Sequence, residues 1–243
     1  MTLHLAWTET KLLAREPLTL LVGVLFPLVL LVLLGTSFGN DPDPDFGGVG
    51  GTDFYVPVYA TAAVAVMGLL GVPTHVASYR QEGVLRRYWA SGVRPGAYMG
   101  SQLAITTVIV AVGSALAIVA GFATADLTPP ESPGGVVVGL LAGVVAFTGI
   151  GLVLGAVLPT ARAAQGVGLL IFFGLFFIAG GGPPPSLLPD AINDFVEVTP
   201  IGLVISAVSR PWHGEGLDTA ALLALGAIAA STALIAYRLF HRE

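Results

Sequence analysis

An all-α integral membrane fold follows from three observations on this chain of 243 residues. First, six long intervals contain no Asp, Glu, Lys or Arg: residues 17–40, 54–79, 95–125, 132–161, 163–189 and 219–237. Crossing a hydrocarbon layer of ~30 Å takes about 20 helical residues, so each interval can hold one span. Second, the charges between these intervals alternate in sign. Lys11 and Arg15, then Arg80, Arg86, Arg87 and Arg94, then Arg162, then Arg238 and Arg242 make nine basic residues, against which stand Glu9, Glu16, Glu82 and Glu243, a net of +5. The intervening segments hold eleven acidic residues and only Arg210, a net of −10, which completes the overall −5. Because Lys and Arg are retained on the cytoplasmic side, the basic segments mark the inside and both termini are expected there. Third, 55% of the residues are hydrophobic, 10% are charged and the mean hydropathy is +0.86. A soluble domain would carry roughly a quarter charged residues.

The expected organisation is one membrane domain over residues 1–243, with spans at about 18–38, 54–76, 98–122, 135–157, 164–182 and 218–238. Scarce Lys beside abundant Arg, Ala, Gly and Val suggests a GC-rich bacterial genome, hence the bacterial cell membrane as location. With no Cys, disulfides and thiolate metal sites are excluded.

Residues 1–17 read as an interfacial helix. Leu3, Ala6, Trp7, Thr10, Leu13 and Ala14 share one face, and His4, Thr8, Lys11 and Arg15 the opposite one. Such a helix lies flat at the inner interface, with Trp7 down and Lys11 and Arg15 up. Pro17 restarts the chain into span one, which Pro27 is expected to kink. Leu34-Gly35-Thr36-Ser37-Phe38 lacks a small-x-small cleavage pattern, so the first apolar stretch reads as a retained span and not a signal peptide. The outer loop 40–53, with Asp41, Asp43 and Asp45 between prolines, reads as a flexible solvated turn; a calcium loop would need a bidentate Glu that is missing here.

In span four, Gly135, Gly139 and Gly143, then Gly151 and Gly155, predict close helix packing. Span five carries Phe172, Phe173, Phe176 and Phe177, which serve either as a packing or lipid-facing stripe or as one wall of a path for hydrophobic cargo. After it, Gly180-Gly181-Gly182-Pro183-Pro184-Pro185 breaks the helix. The apolar segment 198–209 is too short to cross the bilayer. It reads as a re-entrant external segment between spans five and six, a lid flanked by Pro189 and Pro200, and it must be covered by protein or water.

Catalytic patterns are missing. The only Lys is Lys11, so no Gly-x-x-x-x-Gly-Lys phosphate loop exists and the chain has no ATPase motif. The histidines at 4, 75, 213 and 241 are too dispersed for a metal site, and no zinc helix or nucleophile elbow occurs. No span carries a charged group of the kind that couples ion flow. His75, near the inner end of span two, reads as an interfacial hydrogen-bonding residue, with a proton carrier as the alternative. Active transport would therefore need power from another chain. The candidate docking surface is the inner loop 78–98. There Leu85 and Trp89 share a helical face extended by Val84 and Tyr88, with Arg80, Arg86 and Arg87 beside it. That apolar ridge suits an acidic partner groove or, equally, a hold on anionic lipid.

This loop resembles the signature of ABC type-2 exporter permeases, the membrane subunits of drug, antibiotic and polysaccharide exporters. Glu82, Gly83, Leu85, Arg86, Arg87, Ala90, Val93, Pro95 and Tyr98 fit its pattern, whereas Val84, Trp89 and Gly92 replace the usual Thr, Arg and Pro. The stretches Leu188-Pro189-Asp190 and Val198-Thr199-Pro200 are similar to that family's leucine-proline and threonine-proline elements, and the flat N-terminus matches its interfacial helix. The resemblance implies a non-enzymatic transmembrane subunit of an exporter of hydrophobic or amphipathic cargo. Its partners would be two copies of a separate ATPase, a second permease copy, identical or not, and membrane lipid, with no nucleic acid. ATP and Mg would bind the ATPase and no cofactor this chain. It further implies that Glu82, Gly83, Leu85, Arg86, Arg87, Trp89 and Arg94 form the ATPase-coupling loop and that spans one, two and five supply the cargo path. An ATP-independent channel, or a scaffold that anchors an ATPase for signalling, is also compatible with the residues themselves.

Overall fold

The structure, a computed structural model, describes residues 25–124 and 127–241. The expected interfacial helix with Trp7, Lys11 and Arg15 and the first part of span one lie outside the described residues. Span one is described as α1 (Phe26–Phe38). A 3-10 turn at Pro44–Phe46 leads to α2 (Gly51–Val66), which runs through a π-helical turn at Met67–Gly71 into α3 (Val72–Gln81). The short α4 (Val84–Ala90) is followed by α5 (Pro95–Thr124), α6 (Pro133–Val157) and α7 (Ala161–Phe176), the last ending in a second π-helical turn at Phe177–Gly181. Then come α8 (Asp190–Glu197), α9 (Pro200–Trp212) and α10 (Thr219–Phe240).

No strand occurs among the described residues. Five helical stretches there are long and apolar enough to cross a membrane: Pro44–Gln81, Pro95–Ala123, Pro133–Val157, Ala161–Gly181 and Thr219–Phe240. Helices α8 and α9 meet at 85°, too sharp a bend for one straight span. An all-α integral membrane protein is thus what the chain builds.

The α2–α3 rod is the axis of the molecule. Every residue from Tyr55 to Ala77 is buried, because α1, α5, α6, α7 and α9 all pack against the rod. In lipid there is no hydrophobic gain in bringing apolar helices together, so close packing must hold them, and small residues permit it. The sequence supplies them on both sides of the contact. A Cβ on Gly68 would meet the Phe147 ring, one on Gly151 would meet Gly68 O at 2.6 Å, and one on Gly155 would meet Val76 at 2.5 Å. The other glycines of α6 serve a different neighbour: Gly135, Gly139 and Gly143 abut Pro211, Ala207 O and Val204 of α9. The predicted glycine ladder therefore clamps two elements, the axial rod below and the bent α8–α9 pair above.

The outer loop is not the loose turn expected from its Gly and Asp content. Phe46 is buried against Phe38, Phe54 and Tyr55, and Asn40 Oδ1 accepts the Asp53 N–H at 3.0 Å. Asp43 accepts the Asp45 N–H at 2.9 Å, so this acid caps a turn. Among the described residues no group of acids and imidazoles is arranged to hold a metal ion.

Candidate functional site

At the basic end of the bundle, the chain leaves α3 through Gly83. Its φ of +68° is left-handed, a conformation other L-residues rarely adopt, and it turns α4 back beneath the bundle. The expected ridge of Leu85 and Trp89 does not face outward. Leu85 is 1% exposed, and Trp89 lies 6.1 Å from Tyr98 and 6.2 Å from Phe240 between ring centroids. Tyr88 completes the cluster, 6.1 Å from Tyr79 and 6.5 Å from Tyr98. A seven-residue helix can bury only one stripe, and the aromatic ends of α3, α5 and α10 offer a better apolar surface than water does. The correction matters for mechanism: the apolar stripe seats the loop on its own protein, and the surface left for a partner is charged.

That surface consists of Glu82, Arg86, Arg87 and Arg94, all exposed, three cations to one carboxylate. Ser78 Oγ donates to Glu82 Oε1 at 2.9 Å. Arg80, expected beside the other arginines, instead donates to Gly155 O and Leu158 O at 3.2 and 3.1 Å, which satisfies two carbonyls at the end of α6. Next to it Gln81 Oε1 accepts the Ala161 N–H at 2.9 Å, at the start of α7. The base of the loop is thus fastened to spans four and five, a pair of tethers that residue type alone did not announce. His75 is buried against the Tyr79 ring, 4.1 Å between centroids, and its Nε2 has no hydrogen-bond partner among the described residues. This is not the interfacial hydrogen-bonding position expected for it.

At the opposite end, the Phe stripe of α7 divides. Phe172 and Phe176 are fully buried and stack at 5.1 Å, with Tyr59 5.7 Å from Phe176. Phe173 is half-buried and Phe177 is 40% exposed. The first pair therefore lies in the protomer core, and only the second keeps an outward face. Within the Gly-Pro break, Gly180 has φ +101°. Tyr59 and Tyr55, one helical turn apart, donate to Gly181 O at 2.8 Å and Gly182 O at 2.9 Å. Broken backbone at membrane depth needs such donors, since lipid offers none. Pro189 and Pro200 stand ahead of α8 and at the start of α9, and Thr199 Oγ1 accepts the Gly202 N–H at 3.2 Å to cap α9.

A helical bundle of this span content, with a basic helical loop at one end and a sharply bent helix pair at the other, defines a multi-pass membrane protein. The family model for the ABC-2 type transporter matches residues 2–210, and the chain belongs to that family. It is a membrane permease subunit of an ABC transporter, and membership implies work with an ABC ATPase. Comparison with curated proteins gives no match.

Proposed function

We propose that this chain is the transmembrane half of an ATP-driven exporter that moves a hydrophobic or amphipathic cargo outward across the bacterial cell membrane. It has no catalytic or cofactor site of its own; two copies of a separate ATPase supply the power with their ATP and Mg, and a second permease copy completes the pore. Both termini are cytoplasmic. The observation that carries this reading is the inner loop: a charged face of Glu82, Arg86, Arg87 and Arg94 on a rigid aromatic base, with tethers from Arg80 and Gln81 to two further spans. A push on α4 then displaces α3, α6 and α7 together, because their ends are joined. Gly83 supplies the turn, Leu85 and Trp89 the seat, and the arginines the contact with acidic groups of the ATPase.

The cargo path is assigned to the outward-facing side of span five, where Phe173 and Phe177 remain open. Span two, enclosed by its own chain, contributes force transmission in place of lining. Co-expression with a candidate ABC ATPase and reconstitution tests the reading. Wild type is expected to show cargo-stimulated ATP turnover; an Arg86→Glu, Arg87→Glu variant is expected to lose at least tenfold in ATPase binding, as opposed charges become like charges, while its thermal unfolding is unchanged. Unaltered ATPase binding and export in that variant would remove the role given to the loop.

A further inference from the structure

In the half of the bundle away from the basic loop, α5 and α6 part and leave a groove of about 310 Å³ between them. The sequence opens it: Ala111 and Ala115, one turn apart on α5, stand on its wall, where larger side chains would close the gap against Leu140 of α6. The floor is buried, with Val110, Val136 and Val144 at 2%, 4% and 1% exposure. The rim is open, because Ala111, Ala115, Val137 and Leu141 are all exposed. Along α6 the groove runs from Pro133, the first residue of that helix, to Val144, the twelfth of its 25. That distance is about 16 Å at 1.5 Å per residue, half of a ~30 Å hydrocarbon layer, and it ends at the middle of the span. Along α5 the groove covers an equal stretch, from Thr107 to Ile118. It therefore follows one leaflet from the interface to the midplane.

Little in the groove asks for a polar ligand. Thr107 Oγ1 donates to Leu103 O at 2.8 Å and Ser114 Oγ to Ala60 O at 2.6 Å, so both hydroxyls on its wall are satisfied within the bundle. No Asp, Glu, Lys or Arg lines it among the described residues. Trp212 is the exception. It ends α9, is 2% exposed and borders the groove at the interfacial end, beside Pro130 and Pro133. Its backbone is fixed there: Trp212 O accepts the Glu131 N–H at 3.0 Å and Pro211 O the Ser132 N–H at 3.1 Å. Yet its Nε1–H donates to nothing among the described residues. A buried donor left unpaired is costly and calls for an acceptor. The complement of this groove is thus an unbranched apolar chain one leaflet long, with a neutral acceptor at its interfacial end. An acyl ester has that form; a free fatty acid would bring a carboxylate for which the groove holds no cation.

We propose that the α5–α6 groove seats one acyl chain of a bilayer phospholipid, whose ester carbonyl accepts from Trp212 Nε1–H after a small rotation of the indole toward the groove. The chain fills the space between spans three and four, and the carbonyl ties it to the end of α9. Binding depends on neither the ATPase nor the cargo, so the full-length chain alone is tested. In mild detergent it is titrated with an equal mixture of a diester phosphatidylcholine and its diether analogue, which keeps the chains and headgroup and lacks the carbonyls. Native mass spectrometry counts the lipid retained. Wild type is expected to retain the diester roughly fivefold better, the weight of one hydrogen bond. Trp212→Phe, which keeps a ring and loses the N–H, should bring the two lipids level. Ala115→Trp, at an exposed position, should fill the groove and expel both lipids with unfolding temperature unchanged. If Trp212→Phe fails to fold, the wild-type preference and Ala115→Trp decide. The chain has no cysteine, so a disulfide between two Ala115→Cys chains in the membrane would put a second copy of the chain over the groove instead. That disulfide, equal retention of the two lipids by wild type, a preference that survives Trp212→Phe, or retention undiminished by Ala115→Trp would overturn the proposal.

Discussion

At the scale of the residue, side chains of similar character have different fates, and contact distance decides which. Gly134 and Gly139 lie on the same helix. A Cβ on Gly134 would meet nothing within 4 Å, whereas one on Gly139 would run into Ala207 O of α9. Gly139→Ala is therefore expected to cost about 1–3 kcal/mol as an overpacking substitution. Gly134→Ala is expected to be neutral within experimental scatter. Thermal unfolding of the two variants in detergent reads the contrast directly; equal unfolding temperatures would contradict the packing of α6 on α9. The same reasoning explains why the Phe stripe could not be assigned from sequence. Phe172 and Phe176 are one turn apart, as are Phe173 and Phe177, and both pairs satisfy the same periodicity. The neighbouring elements, Tyr59 on the rod among them, make the first pair core. Leu85 and Trp89 were legible as an apolar stripe for the same reason, yet the stripe itself does not say whether it faces a partner or the chain's own aromatics.

At the scale of the element, the α2–α3 rod is bonded at both ends. Arg80 and Gln81 join its inner end to spans four and five, and Tyr55 and Tyr59 join its outer end to the break after span five. Between them lies the π-helical turn Met67–Gly71, a place where helices accommodate a shift in register. A displacement of the inner loop can thus reach the external break along one continuous element. The paired substitution Tyr55→Phe, Tyr59→Phe removes two donors and leaves the carbonyls of Gly181 and Gly182 without them. Each lost bond is worth about 1 kcal/mol. Hydrogen exchange over residues 177–188 is expected to accelerate in that variant while exchange in α6 stays as in wild type; unchanged exchange at the break would remove the tyrosines from the account. None of these bonds was visible beforehand, because each joins positions more than seventy residues apart and no local spacing encodes them. The break between α8 and α9, by contrast, was legible. A twelve-residue apolar stretch between prolines and acids can neither cross the bilayer nor leave it unprotected.

For the whole molecule, the architecture was readable from the placement of 25 charged residues, ten basic and fifteen acidic. A charge at the centre of a membrane helix costs about 2.5–3.5 kcal/mol on insertion scales, so charge-free intervals report spans with little interference from tertiary detail. The outer loop was misjudged because its Gly, Pro and Asp content hid one buried ring, Phe46, that anchors it. The proposed orientation and the proposed energy supply both depend on a single surface, the face of α4 that carries Arg86 and Arg87. The chain has no cysteine, so one introduced thiol reports one position without background. The decisive measurement is the labelling of Arg86→Cys by a membrane-impermeant maleimide. The thiol should be unreactive in intact cells, reactive in inside-out vesicles that lack the ATPase, and protected when the ATPase is bound. Labelling from the outside of intact cells, or labelling in vesicles that the bound ATPase leaves unchanged, would contradict a permease driven from its cytoplasmic loop.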